Sequence, residues 1–96
     1  MGDNDKWIEA GARVLLRKAI RRAGFPLVAS NAKLWAMVEF AKDPPTAEIL
    51  TTVLHEWRES ARAWETKGDD DGIARMNLMF AQAARVEELM GWKPER

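Results

Sequence analysis

Apolar residues recur every three or four positions along almost the whole chain, and no stretch alternates apolar and polar residues for long. This spacing places apolar side chains along one side of an α-helix, whereas a β-strand requires a period of two. Glycine and proline interrupt the pattern at residues 24–26, 43–45, 68–72 and 91. The sequence therefore predicts an all-α fold whose helices end at these interruptions.

Four helices are predicted, over residues 6–23, 32–42, 46–67 and 72–90, followed by a short C-terminal tail at residues 91–96. Glycine closes a helix in the left-handed conformation, and proline cannot continue a helix but suits its first turn. Connections of about two to eight residues suit neighbouring helices that run antiparallel. We therefore expect a compact four-helix bundle with antiparallel neighbours and short loops.

The length of the chain limits it to one core. A folded protein of 10.9 kDa exposes roughly 5,600 Å², against roughly 15,800 Å² for the unfolded chain. Hydrophobic residues make up 47% and charged residues 31% of the 96, which is typical of a globular chain. A single helical domain over residues 1–96 is the expectation.

The chain has few side chains of the types that commonly act as nucleophiles or general bases, which argues against catalysis. Without cysteine, the chain has no disulfide, thiolate metal site or cysteine nucleophile. His55 is the only histidine, and on the third helix it is predicted to be solvated, near Glu56 and Glu59. The pair Glu87 and Glu88 is likewise predicted to lie on a solvated helix face. We expect no enzyme activity.

The acidic run at residues 69–71 resembles part of a calcium loop but does not fit one. An EF-hand places glycine sixth and glutamate twelfth. With Gly72 sixth, the first position is Lys67 and the twelfth is Leu78, and neither is a suitable ligand. The run is predicted to cap the fourth helix, and neither a metal nor a cofactor is expected.

Five basic residues and no acidic one occur between positions 13 and 22, although the net charge of the chain is zero. They are Arg13, Arg17, Lys18, Arg21 and Arg22. Arginines one helical turn apart match successive phosphates of a nucleic-acid strand, whose neutralisation releases counterions. The same residues also suit an acidic protein, and they suit pairing with Glu56, Glu59 or the acidic run. These three interpretations remain open.

Tryptophan is abundant, with five residues in this short chain. Trp57 and Trp64 lie on the apolar stripe of the third helix and are predicted to be core. Trp35 lies on a helix that is apolar on most sides, so that helix is predicted to be central in the bundle or to face a partner.

A protein interface is predicted from apolar residues that lie off the main stripes. These residues are Trp7, Leu78, Leu89 and Trp92. The alternative is that the other helices of a small bundle surround the fourth helix broadly and cover this flank.

Targeting signals are absent from the sequence given. Residues 1–6 are polar and acidic, unlike a signal peptide, and the longest dense apolar stretch, residues 34–38, is far short of the roughly 20 that span a bilayer. A cytoplasmic protein with no membrane contact is the expectation.

In size and helical make-up the chain is similar to small subunits of CRISPR effector complexes and to compact cores of phage packaging or inhibitor proteins. This likeness implies a non-catalytic small helical subunit or adaptor, with a protein partner or a second copy and a basic first helix against a nucleic-acid backbone. The alternative is a protein-only regulator or inhibitor that masks its partner.

Overall fold

Five helices contain most of the described residues. The computed structural model describes residues 2–66 and 68–93, with the side chains of all of these except residues 2 and 3. The helices are α1 (Gly2–Arg22), α2 (Pro26–Asn31), α3 (Leu34–Ala41), α4 (Pro44–Glu65) and α5 (Asp70–Met90). Because no residue in these two ranges belongs to a strand, the prediction of an all-α fold is confirmed.

Glycines follow the ends of helices, and an acidic residue caps the start of α5, as the sequence predicts. Gly24, Gly68 and Gly91 have φ angles of 96°, 69° and 73°, in the left-handed region that glycine adopts without steric cost. At the start of α5, the Asp69 carboxylate accepts a hydrogen bond of 2.7 Å from the Gly72 amide. This bond confirms the predicted cap, since it satisfies one of the free N–H groups of the first turn.

The described residues contain one helix more than predicted. Residues 26–31, which the sequence pattern assigns to a connection, form α2, because Pro26 presets the first turn and the Ala29 amide donates to the Phe25 carbonyl at 3.1 Å. The predicted bounds of the other four helices differ from the observed ones by at most four residues. Lys67 and the end of the predicted tail, residues 94–96, lie outside the described residues.

The three long helices α1, α4 and α5 each pack against the other two. Helix α2 packs on α1, and α3 packs on α1, α4 and α5. Large, fully buried side chains from four helices meet in the core: Leu15, Leu16, Ile20, Met37, Leu50 and Val86. The antiparallel arrangement of neighbours and the single domain stay predictions.

Polar contacts fix α5 against the other two long helices. The Arg58 guanidinium on α4 donates to the Glu87 carboxylate on α5 at 2.6 Å, and both side chains are more than nine-tenths buried. The prediction that Glu87 is solvated is therefore wrong, whereas Glu88 is exposed as predicted. On the α1 side, Arg85 donates to Glu9 at 2.6 Å, and this hydrogen bond raises the pKa of Arg85 above its already high ordinary value.

None of the described helices is long and apolar enough to cross a membrane. The most apolar of them, α3, has only eight residues, against the roughly 20 that a bilayer requires.

Candidate interaction surfaces

Two of the five basic residues predicted to bind nucleic acid lie against α4 of the same chain. Arg22 forms an ion pair with Glu56 at 2.9 Å. The Lys18 ammonium lies 5.8 Å from the centroid of the Trp57 ring, within the range of a cation–π contact. The interpretation as intramolecular pairing is thus confirmed for Arg22, and Lys18 covers an aromatic ring.

None of the other three basic residues forms an ion pair or a cation–π contact with a described residue of α4. The Arg17 guanidinium donates to the Ala29 carbonyl at 3.3 Å, which is a long hydrogen bond. Arg13 is half-buried and Arg21 is exposed, and neither forms an ion pair with a carboxylate of the described residues. Since successive residues rotate by 100° around a helix, Arg13, Arg17 and Arg21 lie within 80° of each other.

The same side of α1 also exposes large apolar side chains. Trp7 is 60% and Val14 44% exposed, and Ala10 lies between them at helical spacing. With the three arginines they occupy about 120° of the circumference, opposite the buried stripe. We call this set the outer face of α1: Trp7, Ala10, Arg13, Val14, Arg17 and Arg21.

A second group of exposed apolar residues belongs to the short helices. Leu27 is 74%, Trp35 70% and Phe25 44% exposed. Phe25 packs edge-on against Phe40, with ring centroids 4.8 Å apart. Trp35 therefore does not lie at the centre of the fold. We refer to Phe25, Leu27 and Trp35 as the α2–α3 apolar residues.

The residues predicted at a protein interface do not share one environment. Trp7 is exposed on the outer face of α1. Leu89 and Trp92 are half-buried and pack against the core, so only part of each remains at the surface. Leu78 is half-buried and lines an open cavity.

That cavity belongs to a groove between α1 and α5. Two open cavities, of about 710 and 530 Å³, share the lining residues Ile8 and Ala81. Trp64 of α4 also lines the first cavity. The α5 residues in the lining include small side chains at Ala74, Ala81 and Ala84 and larger ones at Arg75, Asn77, Leu78, Arg85 and Glu88. We call this feature the α1–α5 groove.

Acidic side chains predominate in the lining of the α1–α5 groove. The described carboxylates are Asp5, Glu9, Asp69, Asp71 and Glu88. Two guanidinium groups, Arg75 and Arg85, accompany them, so the formal charge of the lining is −3. The alanines are seven and three residues apart in the sequence, which places them on one side of α5, but the sequence did not predict the contribution of α1 to the groove.

The candidate chemical groups of the sequence are dispersed. His55 is exposed, with its Nε2 atom 3.8 Å from the Glu59 carboxylate, as predicted. Within residues 2–66 and 68–93, no three histidine, aspartate or glutamate side chains converge in a way that would hold a metal ion.

The surfaces are therefore interpreted from their own geometry and charge. Comparison of the chain with protein-family models, with curated proteins and with solved structures gives no match.

Proposed function

We propose that this protein is a non-catalytic adaptor, a small helical subunit that docks a protein partner through the α2–α3 apolar residues. The observation that carries the proposal is the exposure of Trp35 and Leu27, each at least 70% exposed beside a filled core. Aromatic side chains are enriched among the residues that dominate binding energy at protein interfaces. A partner that covers them removes apolar surface from water.

Contact with a nucleic-acid backbone is a second candidate function. It is favoured by Arg13, Arg17 and Arg21, which follow one another at one-turn intervals on the outer face of α1. A protein-only regulator or inhibitor needs none of these charges, and the engagement of Lys18 and Arg22 within the chain favours that simpler alternative.

Capture of the partner from cells of the source organism tests the adaptor proposal. The wild-type chain is compared with the Leu27→Asp/Trp35→Asp variant and with Thr52→Asp, which changes an exposed residue of α4. We expect the double variant to retain the thermal unfolding midpoint of the wild type. It should capture at least about tenfold less partner, which corresponds to a loss of about 1.4 kcal/mol in binding free energy. Equal capture by all three chains would contradict the proposal.

Titration with fluorescent oligonucleotides tests the second candidate. The Arg13→Ala/Arg17→Ala/Arg21→Ala variant is compared with Lys33→Ala/Lys42→Ala/Arg62→Ala, which removes three exposed basic residues elsewhere. If α1 contacts phosphates, the first variant binds more weakly and the slope of log K against log salt falls by about 2 to 3. Absence of binding at low salt would leave the protein-only alternative.

A further inference from the structure

We propose that the α1–α5 groove of one molecule binds the outer face of α1 of a second copy, so that the protein associates head to tail. This association uses neither Leu27 nor Trp35. It is therefore independent of the docking of a protein partner, and it goes beyond that proposed function.

The shape of the groove suits a helix. The two cavities adjoin at Ile8 and Ala81, and the α5 side of the groove presents Ala74, Ala81 and Ala84. Small side chains let the axis of a docked helix approach closely, and an amphipathic helix binds such a groove through residues spaced three and four apart. Trp7, Ala10 and Val14 have this spacing on the outer face.

The two surfaces are of similar length. From Asp71 to Glu88 the groove follows α5 for about 26 Å, at a rise of about 1.5 Å per residue. The outer face extends from Trp7 to Arg21, which is about 21 Å along α1. One helix face thus covers most of the groove.

Charge complementarity selects the second copy as the occupant. The groove lining has a formal charge of −3, and the outer face contributes Arg13, Arg17 and Arg21, for +3. Complementary charges of this kind accelerate association and disfavour wrong partners. The chain as a whole is neutral, so copies do not repel each other through net charge.

The arrangement of the two surfaces on α1 excludes contact within one molecule. Ile8, in the groove, lies about 160° around the helix from Ala10, at the centre of the outer face. A molecule therefore cannot place its own outer face in its own groove. The resulting contact joins two different surfaces, which generates a closed ring or an open chain of copies.

Charge reversal and sedimentation velocity test the proposal. Arg13→Glu/Arg17→Glu/Arg21→Glu reverses the outer face, and Asp5→Lys/Asp71→Lys/Glu88→Lys reverses the groove. The matched control, Lys33→Glu/Lys42→Glu/Arg62→Glu, reverses three exposed charges outside both surfaces. Circular dichroism first verifies that each variant is folded.

We expect the weight-average mass of the wild type and of the control to rise with concentration at low salt. It should fall at high salt, because the screening length shrinks from about 30 Å at 0.01 M to about 3 Å at 1 M. Each reversed variant alone should be monomeric, and an equimolar mixture of the two should associate again, since the acidic groove of one meets the basic face of the other.

Three results would overturn the proposal: a wild-type chain that stays monomeric at low salt, reversed variants that associate like the control, or a mixture of folded variants that fails to associate. If a reversed variant does not fold, Trp7→Ala replaces it, with an expected weakening of at least tenfold. Groove reversal should leave partner capture intact, which separates this association from the docking of a protein partner.

Discussion

At the scale of single residues, the buried ion pair between Arg58 and Glu87 is the feature that most departs from the sequence pattern. Burial of two charges costs several kcal/mol each in desolvation, which their attraction offsets only when their geometry is good. The distance of 2.6 Å and the near-complete burial show such a geometry. The pair therefore serves less as a source of stability than as a constraint on how α4 and α5 meet.

Removal of one partner of this pair should be costly. We expect Glu87→Ala to lower the free energy of unfolding by about 3 kcal/mol, because the buried Arg58 charge loses this counter-charge. Glu88→Ala is the control, and it should change stability by less than about 1 kcal/mol, since the Glu88 side chain is 70% exposed. Urea denaturation followed by circular dichroism measures both, and equal losses would contradict the assignment.

Cationic side chains also lie over aromatic rings that are only partly buried. Besides Lys18 on Trp57, the Arg75 guanidinium lies 4.5 Å from the Trp64 ring centroid and Arg62 lies 5.7 Å from that of Phe80. Each contact combines the attraction of a charge to a π system with burial of the aliphatic stem. These rings are consequently covered by their own chain, which leaves Trp7 and Trp35 as the tryptophans most available to a partner.

At the scale of elements, the contact between α1 and α5 depends on one glycine. The Gln82 side chain lies over Gly11, where a Cβ atom would be only 2.2 Å from its Cδ atom. Gln82 also donates to the Trp7 carbonyl at 3.0 Å. Glycine weakens an isolated helix, but at position 11 the absence of a side chain leaves the space that Gln82 occupies.

We predict that the effect of Gly11→Ala on stability changes sign when Gln82 is removed. Gly11→Ala alone should destabilise the protein by about 1 kcal/mol, because overpacking costs about 1–3 kcal/mol and alanine returns about 1 in helix propensity. In the Gln82→Ala background the clash disappears, and the same substitution should stabilise by up to about 1 kcal/mol. Thermal and urea unfolding of the four chains measure this cycle, and the same sign in both backgrounds would contradict the close contact.

At the scale of the whole molecule, stability is expected to be uneven. The long helices α1, α4 and α5 pack on one another, whereas the six-residue α2 packs on α1 and exposes Leu27. A helix of one to two turns is unstable by itself, so α2 depends on its tertiary contacts, chiefly the contact with α1. Local opening of α2 should therefore require much less free energy than global unfolding.

Native-state hydrogen exchange checks this difference. The amides of Ala29 and Ala32, which donate to the Phe25 and Val28 carbonyls, should exchange through local opening at low denaturant. The amides of Leu15 and Val86, in the middle of long helices with buried side chains, should exchange through global unfolding. Equal opening free energies at all four amides would show that α2 unfolds with the rest.

The three surfaces are arranged around α1. Arg17 of the outer face of α1 donates to the Ala29 carbonyl of α2, so this face adjoins the helix that carries Leu27. The α1–α5 groove lies on the other side of α1 and has the opposite formal charge.

The sequence by itself determined the helical class and most helix ends, whereas Trp57 and Trp64, predicted to be core, are only partly buried. The local features that end or begin helices act through backbone geometry within a few residues; they are Gly24, Gly91 and the Asp69 cap. Together with the apolar spacing, they can be predicted from the sequence without knowledge of distant contacts. Tertiary structure alone decided that Glu87 is buried and that Trp35 is exposed while Trp92 packs on the core. It also stabilised α2, whose first turn Pro26 favours locally. These outcomes depend on where a third helix lies beside a given helix face, and residues far apart in the chain decide that position together.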